Sequence, residues 1–247
     1  MMDEKEEEED GRSREERWGR GKDVEKEEIR KGKEDVYVEY TGTVWANFMS
    51  RESNPGRQGI RSGVVGFLEE QNVTTVGFTG FQNRYALAMR RDRALELGVT
   101  SIEDLIPIAA ELSAGSDLEF FGRTEWFRLR DLYNMDFADK LTFDVSLMYT
   151  AVAERQVDVI SAYTTDGRVA AYDLLLLDDP RNALLAYDAM ILASANAAAQ
   201  PKFMQVLDTL VDSIPDEAMR QANRLVDVNG ESITVALEYL RGEMTKN

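Results

Sequence analysis

Short apolar runs alternate with helical stretches along this chain, and the alternation predicts an α/β protein. Residues 36–43, VYVEYTGT, read as a strand running into a glycine turn, with Val36, Val38 and Tyr40 on one face and Tyr37 and Glu39 on the other. A short helix over 45–49 follows. Residues 51–59 form a loop around Asn-Pro-Gly, 63–71 a helix, and 73–78 a second strand. Glycines punctuate 77–85, GFTGFQNRY, a predicted loop that carries the chain from one lobe to another before a strand at 85–89.

The middle of the chain repeats the pattern. Ser101 caps a helix that begins at Ile102, with Asp104 completing a weak capping box. A strand at 118–121 leads through Gly122 and Arg123 into an aromatic helix at 126–135, then come a strand at 141–145 and a helix at 149–156. The stretch 158–168, DVISAYTTDGR, organises the whole. Its valine-rich strand (157–162) delivers Tyr163 to a helix N-terminus capped by Thr164 or Thr165, with Asp166 supporting that terminus or facing a ligand. Ligands of open α/β proteins sit at the carboxyl ends of strands, so Tyr163 is placed at a cleft. A buried strand at 174–177, a returning strand within 183–192 and helices over 201–214, 216–226 and from Ser232 complete the pattern.

Charge and composition narrow the chemistry. The 247 residues carry a formal charge of -17, which disfavours nucleic acid and anionic membrane as partners. There is no cysteine and no histidine, which excludes structural zinc, thiol catalysis, disulfides and histidine-dependent triads. Asp144, Asp158 and Asp166 are the remaining potential acids, without an evident nucleophile or base partner, so no catalytic residue, cofactor or metal is assigned. Residues 1–34 are densely charged, with Trp18, Val24 and Ile29 nearly the only large apolar groups past the initial methionines. Residues 1–21 are therefore expected to be a disordered tail, while 22–33 fit one exposed helix. The acidic start has no secretory signal pattern, and no apolar run of membrane-spanning length occurs. As written, the chain is expected in the cytoplasm if its start is genuine.

Four tyrosines, Tyr40, Tyr85, Tyr163 and Tyr187, lie at predicted strand ends or loop entries. Ring faces attract a cation that donates no hydrogen bond, as a quaternary ammonium does. A half-buried core tyrosine with a satisfied hydroxyl is the alternative at each position. Arg123 offers a bidentate fork to a carboxylate, or else pairs with Glu119 or Glu125 at the surface. Thr43 offers a hydroxyl to the same anionic end, whereas Gly42 serves the turn.

At these residues the sequence resembles the substrate-binding proteins of ABC importers for glycine betaine, choline and related osmoprotectants. The resemblance runs through YVEYTGT (37–43), GFQNRYALAMRRD (80–92), SIEDL (101–105), LEFFGR (118–123), QVDVISAYTTDGR (156–168) and VDVNGES (226–232), and covers about 22–245. It implies a non-enzymatic protein of the type II periplasmic-binding-protein fold, with residues 22–86 plus 188–247 forming lobe 1, 87–187 forming lobe 2, and a ligand cleft between them. It implies further that Tyr40, Tyr85, Tyr163 and, with a looser local match, Tyr187 surround a quaternary ammonium group, while Arg123 and Thr43 hold a carboxylate.

The partners implied are a small zwitterionic or cationic ligand and an ABC transporter permease, at a periplasmic or extracellular membrane-associated location. A first strand and helix common to the family have no counterpart here. Lobe 1 is thus expected to be incomplete, with an exposed edge through which a homodimer could pair. The alternative is a truncated homologue with a structural or oligomeric role, or with a different small ligand.

Overall fold

The computed structural model describes residues 34–244. The expected tail at 1–21 and helix at 22–33 lie outside the described residues. Among the described residues, eight strands form two sheets. The first contains β1 (Val36–Tyr40), β2 (Thr74–Gln82) and β8 (Asp188–Ala193), with β8 antiparallel to both neighbours in the order β1-β8-β2. The second contains β3 (Tyr85–Arg90), β4 (Ser113–Ser116), β5 (Asp139–Thr142), β6 (Val159–Tyr163) and β7 (Leu174–Leu176), in the order β5-β4-β6-β3-β7. Here β4 runs parallel to β5 and β6, while β3 is antiparallel to β6 and β7.

The helices are α1 (Gly56–Glu70), α2 (Arg91–Leu97), α3 (Ile102–Leu105), α4 (Thr124–Tyr133), α5 (Val145–Ala153), α6 (Gly167–Ala171), α7 (Ala195–Ala198), α8 (Pro201–Asp208), α9 (Asp216–Asp227) and α10 (Ile233–Met244). Ser101 and Asp104 form the expected reciprocal capping box at α3. Among the described residues no helix is long and apolar enough to cross a membrane.

Helices cover both faces of the second sheet, which explains why β6 is apolar and buried from Val159 to Ala162. One face carries Leu87, Met89, Leu105, Leu129 and Tyr133, and the other Met148, Tyr149, Ile160 and Ala162. A separate core beneath the first sheet joins Trp45, Ile60, Val64, Leu68 and Met190. The alternation expected of β1 is present, yet Val38 is 46% exposed while Glu39 is buried. The outer edge of β1 has no strand partner among the described residues.

Several boundaries differ from the sequence reading. The Asn-Pro-Gly segment ends early because Pro55 sits immediately before α1, a position where its missing N–H costs nothing. The glycine-rich stretch 77–82 is strand rather than loop. β2 runs through it with two register shifts, and Gly80 at φ 117 lies against the Ile214 backbone. No strand forms at 118–121. The strand is Ser113–Ser116, ended when the Asp117 carboxylate accepts the backbone N–H groups of Glu119 and Phe120, each at 2.9 Å, and folds the chain into a 3-10 turn. At α6 the cap is Asp166, which accepts the Arg168 N–H; Thr164 and Thr165 precede it.

The chain passes between the sheets at Asn83–Arg84 and returns through 177–187. The two crossings are joined where Asn83 N–H donates to the Tyr187 carbonyl at 3.0 Å. The Thr164 hydroxyl donates to the Gln82 carbonyl and accepts the Arg84 N–H, and the Thr165 hydroxyl donates to the Asn83 side chain. Helix α9 clamps this junction. Its Asp216 carboxylate accepts the Gln82 N–H, and its Arg220 and Asn223 donate to the carbonyls of Thr164 and Thr165.

That clamp requires close approach of two helices. A Cβ on Gly167 would overlap the backbone of Arg224, whereas one on Gly66, exposed in α1, would meet open space. Gly167→Ala is expected to destabilise the fold by about 1–3 kcal/mol or more. Gly66→Ala should stabilise it by roughly 0.5–1 kcal/mol. Denaturant unfolding of the two variants checks both signs.

Candidate functional site

The antiparallel register of β3 and β6 sets Tyr85 directly opposite Tyr163 at the ends of their strands. Their ring centroids are 4.8 Å apart and their hydroxyls 3.0 Å apart. Both hydroxyls lie 2.9 Å from Oδ2 of Asp117, a residue that is 5% exposed at the end of β4. One carboxylate thus gathers two phenols from neighbouring strands while its other oxygen holds the turn that begins after β4. The Tyr149 hydroxyl accepts the Tyr163 N–H at 2.9 Å and fixes the end of β6 from below.

That turn delivers Phe120 and Arg123. Phe120 packs on Tyr85 with centroids 4.9 Å apart, and the Arg123 guanidinium lies 5.8 Å from the centre of the Tyr85 ring. Arg123 bridges Glu119 at 3.1 Å and Glu125 at 3.3 Å, so the surface pairing foreseen as the alternative coexists with a place at the ring cluster. Glu125, buried in the first turn of α4, also accepts the Tyr187 hydroxyl at 3.1 Å. Since Tyr187 belongs to the returning crossing, this bond ties the two halves together.

On the first-sheet side, the Tyr187 ring lies flat against Gly42, where any Cβ would overlap it. Gly42 therefore makes room for Tyr187 in addition to its place in the turn. Thr43 is buried in the short helical turn Thr41–Thr43 that follows β1, and its hydroxyl makes no hydrogen bond among the described residues. Tyr40, at the end of β1, meets Phe81 edge-on at 6.5 Å and lies beside the Asn83 side chain. Of the six residues singled out in the sequence, Tyr85, Tyr163, Arg123 and Tyr187 form one connected cluster. Tyr40 and Thr43 approach it from the first sheet through Asn83 and Gly42.

Burial, then the hydrogen bond with the Tyr163 hydroxyl and the Asp117 charge push the Tyr85 phenol well above its ordinary value of 10.0. Tyr163 is raised by burial and by Asp117, against the opposing bond from Tyr85. Tyr187 is raised by burial and then by the Glu125 charge. All three are hydroxyl donors at neutral pH. Asp117, Phe120 and Asn83 were not singled out in the sequence, although LEFFGR already enclosed Phe120 and the QNRY stretch Asn83; Glu125 was named there only as a surface partner of Arg123. Elsewhere, a groove of about 350 Å³ lined by Arg90, Asp92, Arg93, Arg155 and Asp158 is crossed by its own ion pairs and has no aromatic lining. Among the described residues no group of acidic side chains could hold a metal ion.

A family model described as the substrate binding domain of ABC-type glycine betaine transport systems matches residues 5–242. The chain is 28% identical over 202 residues to the ergothioneine transport permease/ergothioneine binding protein EgtU of Helicobacter pylori (strain G27), a match covering 80% of this chain and 36% of that protein. It therefore spans little more than a third of that relative. It is 29% identical over 207 residues to the carnitine transport binding protein OpuCC of Listeria monocytogenes serotype 1/2a (strain 10403S), covering 82% of this chain and 67% of that one. The crystal structure of a glycine betaine/carnitine/choline ABC transporter protein superposes with a TM-score of 0.83 at 24% identity, over 90% of this chain and 83% of that chain. The two-lobed α/β fold is that of the type II periplasmic binding proteins.

Replacing Asp117 with asparagine removes the anion that faces both phenols, so the Tyr85 and Tyr163 pKa values should fall toward the ordinary range. A spectroscopic titration of tyrosinate should show Asp117→Asn beginning to ionise at lower pH than the unsubstituted protein. Coincident curves would deny the carboxylate this role.

Proposed function

The chain belongs to the family of substrate-binding domains of ABC-type glycine betaine transport systems, and from that premise we propose that it binds a quaternary ammonium osmoprotectant, glycine betaine or a close analogue, for uptake through an ABC permease outside the cytoplasm. Its family and fold are those of substrate-binding proteins rather than enzymes. The observation that carries the proposal is the meeting of Tyr85, Tyr163, Arg123 and Tyr187 over buried carboxylates at the boundary between the lobes.

The chemistry fits a cation without N–H donors. A trimethylammonium group gains nothing from hydrogen-bond acceptors but is attracted to aromatic faces, and more strongly where anions lie behind the rings. Asp117 already occupies the hydroxyls of Tyr85 and Tyr163, so what these residues offer a ligand is ring surface. Arg123 and the free Thr43 hydroxyl supply donors for a carboxylate at the far end of a zwitterion. Carnitine, ergothioneine and glycine betaine, the compounds named for the relatives and the family, all combine a trimethylammonium head with a carboxylate. Tyr85 and Tyr163 belong to neighbouring strands of one sheet and move together, whereas Tyr187 joins them from the returning crossing through Glu125, so ligand entry opens that seam with the Asn83 and Tyr187 crossings as the hinge. The outer edge of β1 is where a second copy would add, should the protein dimerise.

Isothermal titration against glycine betaine, with choline for comparison, should give saturable binding. Tyr163→Ala should weaken it by roughly 5–30-fold, the equivalent of about 1–2 kcal/mol for one desolvated ring. A folded sample that binds no quaternary ammonium compound would remove the proposal.

A further inference from the structure

Arg123 is the cationic group of the cluster, yet its charge is already engaged. Nη1 donates to Glu119 and Nε to Glu125, and the guanidinium also lies beside the Tyr187 hydroxyl. The two carboxylates differ in kind. The Glu119 side chain is 54% exposed, where water and salt screen it and a ligand can displace it at little cost. The Glu125 side chain is 8% exposed and uses both oxygens, Oε2 for Arg123 and Oε1 for the Tyr187 hydroxyl. Moving it aside would strand the Tyr187 donor and a buried anion together.

We propose that Glu125 is the specificity-determining residue of this cleft, an internal counter-anion that shares Arg123 with any ligand carboxylate and so limits what a carboxylate adds to binding. The proposal rests on the quaternary ammonium reading of the site. The ring cluster with Asp117 behind it attracts the cationic head of every such ligand alike. Discrimination between a zwitterion and a simple cation then depends on the charge left at Arg123. With Glu125 ionised, the Arg123–Glu125 pair is neutral overall and a second carboxylate gains little. Without that charge the guanidinium is free to bind the ligand's carboxylate as a fork.

Glu125→Gln keeps the shape and an oxygen acceptor for Tyr187 while removing the charge. Its affinities for glycine betaine and choline, measured by isothermal titration beside those of the unsubstituted protein, should shift in ratio toward betaine by about tenfold or more. Glu119→Gln should leave the ratio within about twofold, because its pair is exposed. Betaine binding that appears only in Glu125→Gln would support the same assignment. An unchanged ratio, or an equal loss for both ligands with the melting temperature retained, would overturn it and leave the function proposed above standing. Failure of every form to bind either compound would overturn both.

Discussion

The buried carboxylate of Asp117 is the constraint on which the rest of the site depends. With 5% of the residue exposed, its charge is held by four hydrogen bonds, two from backbone amides of the following turn and two from the phenols of Tyr85 and Tyr163. An ionised group so far from water is tolerated only when such donors replace its hydration. The same four bonds do structural work in three directions. They end β4, set the 3-10 turn that presents Phe120 and Arg123, and lock the ring orientations at the ends of β3 and β6.

A second layer of contacts connects this cluster to the seam between the sheets. Tyr187 reaches across to Glu125, and its carbonyl accepts from Asn83, so one residue senses both the ring cluster and the crossing strands. Thr164 follows Tyr163 directly and bonds on both sides of Asn83, while α9 grips Thr164, Thr165 and Gln82 from outside. A ligand that separates or reorients Tyr163 and Tyr187 therefore pulls on the residues about which the lobes turn. Under the proposed function, that adjacency would couple occupancy to lobe closure.

Local pattern made much of the fold legible. The alternation of short apolar runs with helices marked the α/β class, Ser101 and Asp104 announced their capping box, and the terminal helices stood out by periodicity. The placement of Tyr85, Tyr163 and Arg123 at element ends was also readable. Their meeting was not, because it depends on the antiparallel register of β3 with β6, residues far apart in the chain whose pairing no local spacing encodes. Asp117 escaped notice for a related reason. In AGSDLEF the apolar residues after it suggested a strand, whereas the small residues before it form the strand, where a Cβ on Gly115 would crowd Phe143, Val157 and Ile160. Glu125 was legible only as a surface partner of Arg123; its burial and its second partner come with Tyr187, which the chain brings back from the returning crossing.

The most direct measurement is the position of a bound trimethylammonium group relative to these rings, read from nuclear Overhauser contacts between its methyl protons and the aromatic protons of the full chain. Contacts to Tyr85, Tyr163 and Tyr187 together are the predicted result. Methyl contacts confined to other aromatic residues, with these three rings silent at saturation, would contradict the assignment of the cluster as the ligand site.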